Sequence, residues 1–250
     1  MANLSILKFR CLRNFIPKGL RKLIKPFFQR LLTKPDKEMF YVDGLLKSKR
    51  RFLDVGANQG TYSIYFLDKF EKIDAFEPLS EVPIKKSVLK DQKLSIHHVA
   101  LSDHVGEMDF YIPIRNGEPV TALASLEERD PPYAVRRVPI KRIDDYDFQD
   151  VDLIKIDVEG HEYKTIKGAK ATIDRCSPTL IVEIEQRHLK ISINDVFNAI
   201  TNLGYNGFFL KDGCLTSIDE FNYEVHQLEH LNQRHSNRYV NNFIFTKKVF

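Results

Sequence analysis

The run Asp152-Leu153-Ile154-Lys155-Ile156-Asp157-Val158-Glu159-Gly160-His161-Glu162 brings two acids and a histidine to alternate positions just past an apolar strand. These residue types suit proton transfer. A histidine titrates near neutral pH and can take the proton of a hydroxyl that must become a nucleophile. Asp157 can orient that hydroxyl or the imidazole, and Glu159 can bind an acceptor molecule or pair with Lys155. Asp157, Glu159 and His161 are therefore the candidate catalytic residues. For Glu162, stabilisation of a following helix N-terminus is a sufficient role. Asp157 and Glu183, at neighbouring strand tips, are also placed to share a divalent cation. Acids at strand tips are too common to support that version, and no metal is expected.

A second stretch is built to hold a ligand. Phe52-Leu53-Asp54-Val55-Gly56-Ala57-Asn58-Gln59-Gly60 rises as a strand, turns through two glycines and leaves as a helix-like run, Thr61 to Phe70. Glycine lets backbone approach a ligand closely because it has no Cβ. A dinucleotide fingerprint takes three glycines as Gly-x-Gly-x-x-Gly. Asn58 stands where the second would be, which disfavours a pyrophosphate. An acid two residues before the first glycine, with glycines four apart, suits a ligand with a cationic amino-acid end. The next strand, Lys72 to Glu77, ends in an acid placed to accept both hydroxyls of a ribose. Asp103 follows a third strand (Leu94 to Val99). It is either an acceptor for an adenine amino group or a turn-forming aspartate.

These residues need a sheet whose carboxyl ends lie side by side, since ligands of open α/β sheets bind there. Strand-like runs recur at 51–55, 72–77, 94–99, 152–156, 179–184, 205–210 and 241–246, with helical spacing between several of them. Ser192 to Asp195 reads as a variant capping box, and Gly204 can end the helix that follows. Ser80 can cap a helix reaching about Leu89. Gly106 to Ile112 alternates as a short extra strand. Residues 113–137 show no period and are expected to form an irregular insertion that covers the ligand. His226 and His230 are four apart and are expected on a solvated helix face.

Taken together, Leu53 to Gly60, Ala75-Phe76-Glu77-Pro78 and Leu153 to Glu162 resemble the FkbM family of S-adenosylmethionine (SAM) dependent methyltransferases, over roughly residues 50 to 247. The third block is the specific one. Val99 to Asp103 with Gly106 also looks like that family. The resemblance implies an α/β, Rossmann-like, doubly wound sheet of seven strands with the last antiparallel, as in class I methyltransferases, with SAM as cofactor. It implies Asp54 at the methionine end of SAM, with Gly56, Asn58, Gly60, Glu77 and Asp103 completing the cofactor site. It also implies O-methylation of a sugar, glycan or secondary metabolite.

The chain has 250 residues, enough for one large domain. Its net charge of +4 is unevenly spread: residues 1–50 carry +10 and the remainder −6. Within that basic stretch, Leu23, Ile24, Phe27, Phe28 and Leu31 share one helical face, and Pro26 kinks or splits the run. Residues 1–48 are therefore read as a basic amphipathic extension and 49–250 as the methyltransferase domain. The apolar face either docks on that domain or lies in a membrane interface through residues 20–32. Nucleic acid is not an expected partner, because the basic stretch lacks the aromatic interleaving of RNA modules. No span of about 18 apolar residues and no secretory leader is seen. Three scattered cysteines fit a reducing cytosol, so a cytoplasmic protein is expected, with peripheral contact at the inner face of a membrane as the refinement. Two other classes stay open: a non-catalytic scaffold docked through the basic terminus, and a dehydrogenase, disfavoured by Asn58.

Overall fold

The structure is a computed structural model that describes residues 36–82, 91–128, 130–233 and 238–247. The amphipathic run at 20–32, and most of the helix expected after Ser80, lie outside the described residues. One compact unit begins at Asp36.

The chain enters through helix α1 (Lys37–Leu45) and strand β1 (Arg51–Val55), then helix α2 (Thr61–Phe66) and β2 (Lys72–Phe76). β3 (Leu94–His97) closes the first half. A second, four-stranded sheet follows, made of β4 (Ala100–Leu101), β5 (Gly106–Arg115), β6 (Glu118–Pro119) and β7 (Tyr133–Lys141). The chain then returns to the main sheet as β8 (Val151–Ile156), helices α3 (Glu162–Lys167) and α4 (Lys170–Cys176), and β9 (Thr179–Glu183). Helix α5 (Ile193–Thr201), β10 (Asn206–Lys211), β11 (Cys214–Ser217), the short helix α6 (Tyr223–His226) and β12 (Asn242–Thr246) complete it.

The main sheet runs β11-β10-β12-β9-β8-β1-β2-β3. From β3 to β9 neighbouring strands are parallel, and β12 is antiparallel to both β9 and β10. Strands buried on both faces explain the continuous apolar runs. Alternate residues serve opposite layers: Leu53, Val55, Ile154, Ile156, Leu180 and Val182 pack with α3, α4 and α5. Phe52, Leu153 and Ile181 pack with α1 and α2. The capping box at Ser192 and Asp195 is present, and it starts α5.

Four expectations need correction. The sheet has eight strands rather than seven, because after the turn at Asp212-Gly213 the chain folds back as β11 against β10. Residues 37–45 belong to the body and not to an extension ending at residue 48, since Met39 and Val42 of α1 are fully buried against Phe52 and Phe66. Residues 113–137 are irregular only in part: 113–115 end β5, 118–119 form β6, and 133–137 belong to β7, which pairs antiparallel with β5 from Tyr133 to Ile140, leaving 120–128 as a strap. Finally, His226 is not solvated but packed, with its ring stacked on Phe221 and a nitrogen accepting the Asn222 N–H at 2.9 Å.

Among the described residues no helix is long and apolar enough to cross a membrane.

Candidate active site

Strand register builds the site. Val55 pairs with Phe76 and with Ile156, and Ile156 pairs with Val182, so the four carboxyl ends are level. The next residues, Gly56, Glu77, Asp157 and Glu183, therefore emerge together along one edge. A cleft of about 580 Å³ opens there. Its apolar lining includes Val99, Leu101, Phe110, Ala124 and Leu126. Its polar lining includes Asn58, Glu77, Asp157, Glu159 and His161 beside Gly56. Among the described residues that line it there is no lysine or arginine.

Glu77 ties the polar lining together. Its Oε2 accepts the Asn58 N–H and its Oε1 accepts the Leu79 N–H, both at 3.0 Å. Burial pushes this carboxyl above its ordinary value, and those two donors work against the shift. Asn58 has a left-handed backbone (φ 45°), which asparagine tolerates better than most side chains. Its Oδ1 is buried with no hydrogen-bond partner among the described residues.

The glycine turn has a second purpose that its sequence does not reveal. Gly56 has φ 76°, and a Cβ there would lie 1.7 Å from the Asp157 carbonyl oxygen. The missing side chain makes room for the neighbouring strand end, not only for a ligand. Asp54 departs from its expected place at the methionine end. It is 2% exposed and sits behind the cleft wall, where its Oδ2 accepts the Ser63 N–H at 2.9 Å and the Ser63 hydroxyl at 2.6 Å. Burial pushes its carboxyl up to about 6. Gly60 (φ 73°) lies at the start of α2, outside the lining. Asp103 is also outside it: the carboxylate meets His104 Nδ1 at 3.0 Å and Lys167 Nζ at 3.2 Å. The hydrogen bond with His104, then that with Lys167, holds it down to about 2.

Asp157, Glu159 and His161 all reach the cleft, each in its own network. Lys155, 1% exposed, places its Nζ 2.9 Å from Asn242 Oδ1, 3.6 Å from Glu183 and 4.0 Å from Asp157. Burial raises both carboxyls, with Glu183 well above its ordinary value, and a hydrogen bond from Glu183 supports the Asp157 carboxylate. The Lys155 ammonium thus stands where a cation shared by Asp157 and Glu183 would have to bind. Among the described residues no group of three or more His, Cys, Asp or Glu is arranged for a metal. Glu159 has a left-handed backbone (φ 54°), and its carboxylate lies 3.3 Å from His188 Nε2. His161 is 1% exposed: its Nε2 meets Ser102 Oγ at 2.9 Å and its Nδ1 meets Glu127 Oε1 at 2.8 Å.

The strap 120–128 lies within the run expected to cover the ligand and to help form an acceptor pocket. Thr121, Ala122, Ala124 and Leu126 do line the cleft. Ser125 also donates its hydroxyl to the Glu159 carbonyl at 2.8 Å. Ser102 belongs to the stretch expected at a strand's carboxyl end, without a role assigned to it, and Glu127 gives no signal in the sequence. Glu127 lies in a charged run, Glu127-Glu128-Arg129-Asp130, that reads as surface.

A model of the methyltransferase FkbM domain matches residues 54–206. This chain belongs to the FkbM methyltransferase family. The solved methyltransferase FkbM of Methylobacillus flagellatus KT is similar to it in fold, with a TM-score of 0.54 and 16% identity. That similarity covers 88% of this chain and 50% of the other, so the present FkbM chain spans about half the length of that relative. An rRNA methylase from Streptococcus thermophilus aligns at a TM-score of 0.49 and 9% identity, over 88% of this chain and 99% of the other. A comparison with curated proteins finds no match.

FkbM membership implies SAM as the methyl donor, and the cleft fits it. The apolar lining residues suit the faces of a flat base. Glu77 keeps free lone pairs for hydroxyl donors. The unpartnered Asn58 Oδ1 is an acceptor suited to an ammonium group.

Proposed function

We propose that this FkbM methyltransferase transfers the methyl group of SAM to an oxygen of a sugar, glycan or related polyol. The observation that carries the reading is the charge of the cleft: among the described lining residues there are three acids, Glu77, Asp157 and Glu159, and no lysine or arginine. SAM is cationic, with a sulfonium and an ammonium against one carboxylate. A pyrophosphate-bearing dinucleotide is anionic and finds no counter-charge among those residues. On the acceptor side, carboxylates only accept hydrogen bonds when ionised, so they suit the hydroxyls of a neutral sugar.

Bound in the cleft, SAM supplies an electrophilic methyl group. The protein supplies the rest. Asp157 orients the incoming hydroxyl, with Lys155 and Glu183 fixing its carboxylate. Glu159 gives a second acceptor for a neighbouring hydroxyl. His161 takes the acceptor's proton at Nε2 once the Ser102 hydroxyl turns to Asp103 and frees that lone pair, because Nδ1 faces Glu127, which offers no proton. Holding the oxygen in line with the methyl group can supply up to about 7–11 kcal/mol of the barrier.

Isothermal titration with S-adenosylhomocysteine, wild type beside Glu77→Ala, is the first test. Micromolar binding that weakens at least about tenfold in the variant is expected, from the loss of a charged acceptor. No binding to folded wild type would remove the reading. Methyl-labelled SAM offered with a panel of neutral glycans then tests the acceptor: label in a methyl ether supports oxygen, and label on nitrogen overturns it.

A further inference from the structure

We propose that Glu127 is the positioning residue of His161. It holds the imidazole as the Nδ1–H tautomer and leaves Nε2 as the nitrogen that takes a proton. The inference rests on the reading of His161 as the base.

The geometry is specific. Glu127 Oε1 lies 2.8 Å from His161 Nδ1, and the ring is 1% exposed, so no solvent competes for that nitrogen. An ionised carboxylate can only accept, so Nδ1 must carry the hydrogen. Two lysines keep Glu127 ionised: Lys164 Nζ is 2.9 Å from Oε1 and Lys190 Nζ is 3.3 Å from Oε2. With Nδ1 protonated, Nε2 presents its lone pair to Ser102 Oγ at 2.9 Å. That hydroxyl has an alternative acceptor, Asp103 Oδ1 at 3.4 Å. When it turns there, Ser102 Oγ offers a lone pair instead, so the same contact accommodates His161 neutral or protonated. A proton gained at Nε2 makes an imidazolium flanked by the Glu127 carboxylate, and nothing else need move. Which ring nitrogen is protonated is set by the partner of the other one.

Glu127 also explains why the strap is fastened. Ser125, fully buried, bonds the Glu159 carbonyl at 2.8 Å and receives the Glu127 N–H on its hydroxyl at 3.0 Å. The strap therefore reaches His161 by one residue and the backbone beside it by another.

The test is the ¹⁵N spectrum of histidine-labelled protein, with the His161 signals identified by their loss in His161→Gln. In wild type the proton should appear on Nδ1 and not on Nε2. In Glu127→Ala the Nδ1–H population should fall several-fold while S-adenosylhomocysteine affinity stays within about threefold, because Glu127 does not line the cleft. A wild-type ring protonated on Nε2 alone overturns the proposal without any variant. So does an unchanged tautomer in a Glu127→Ala protein that still binds S-adenosylhomocysteine. Failure of the base reading is seen separately, as methyl transfer that survives His161→Gln with the wild-type tautomer as expected.

Discussion

The ammonium of Lys155 stands 3.6 Å from the Glu183 carboxylate with almost no contact with water. Asp157 lies 4.0 Å from the same nitrogen, so one buried cation serves two acids, and the cleft residue among them owes its charge state to the others. Removing one partner of a buried pair strands the remaining charge. Lys155→Met is expected to lose about 3–5 kcal/mol of stability in urea unfolding. Lys155→Met/Glu183→Gln should recover at least about 1 kcal/mol of that, since partners in one network are not additive. Equal loss in the single and double variants would contradict the shared network.

Gly56→Ala is expected to cost far more than Gly204→Ala. Both glycines have positive φ, at 76° and 82°. The backbone term of about 1–2 kcal/mol is therefore common to the two. Only at Gly56 would the new Cβ meet a backbone oxygen, at 1.7 Å, while at Gly204 nothing lies within 4 Å. Thermal unfolding of the pair measures the difference, and equal midpoints would refute close packing of the two strand ends.

Glu127 makes stability depend on acid. Its hydrogen bond with His161, followed by that with Lys164, holds the carboxyl down to about 2, below its ordinary 4.5. A depressed carboxyl stabilises the fold above its unfolded value, and that stabilisation is lost as pH falls through the folded one. Wild type should exceed Glu127→Gln by about 1 kcal/mol at pH 7, a figure reduced for the residue's partial exposure. The gap should narrow from about pH 4.5 and close near pH 2, as read by urea unfolding across that range.

Asp54 has the opposite sign. Burial lifts its carboxyl to about 6 from 3.8. A raised carboxyl favours the fold fully below the unfolded value, and that contribution disappears as pH rises through the folded one. Ionised Asp54 then costs about 3 kcal/mol at pH 7 relative to its protonated form. Between pH 4 and pH 6, stability should fall more steeply in wild type than in Asp54→Asn. Parallel curves would show that Asp54 does not titrate in this window.

Much of the scaffold was legible because parallel strands announce themselves. Phe52 to Val55 and Leu153 to Ile156 are apolar runs ending in acids and glycines, and their register alone brings Gly56, Glu77 and Asp157 to one edge. Ser192 and Asp195 declared a helix start by chemistry local to four residues. What stayed hidden depends on partners distant in sequence. The direction in which Asp54 points is decided by Ser63 across the turn. The strand at 133–141 escaped notice because only Val138 and Ile140 are buried among exposed Arg136, Arg137 and Pro139. Glu127 acquires its meaning from a histidine 34 residues away, which no short-range pattern records.

The strap also bears on where the cleft can be reshaped. Here Ala124 and Leu126 look like convenient walls to trim, yet they flank Ser125 and precede Glu127, the residues that fasten the strap to Glu159 and His161. Phe110 lines the same cleft from β5, outside the strap. A substitution at Phe110 reshapes the cleft wall and leaves those fastenings in place, whereas one at Ala124 or Leu126 also disturbs the backbone that carries them.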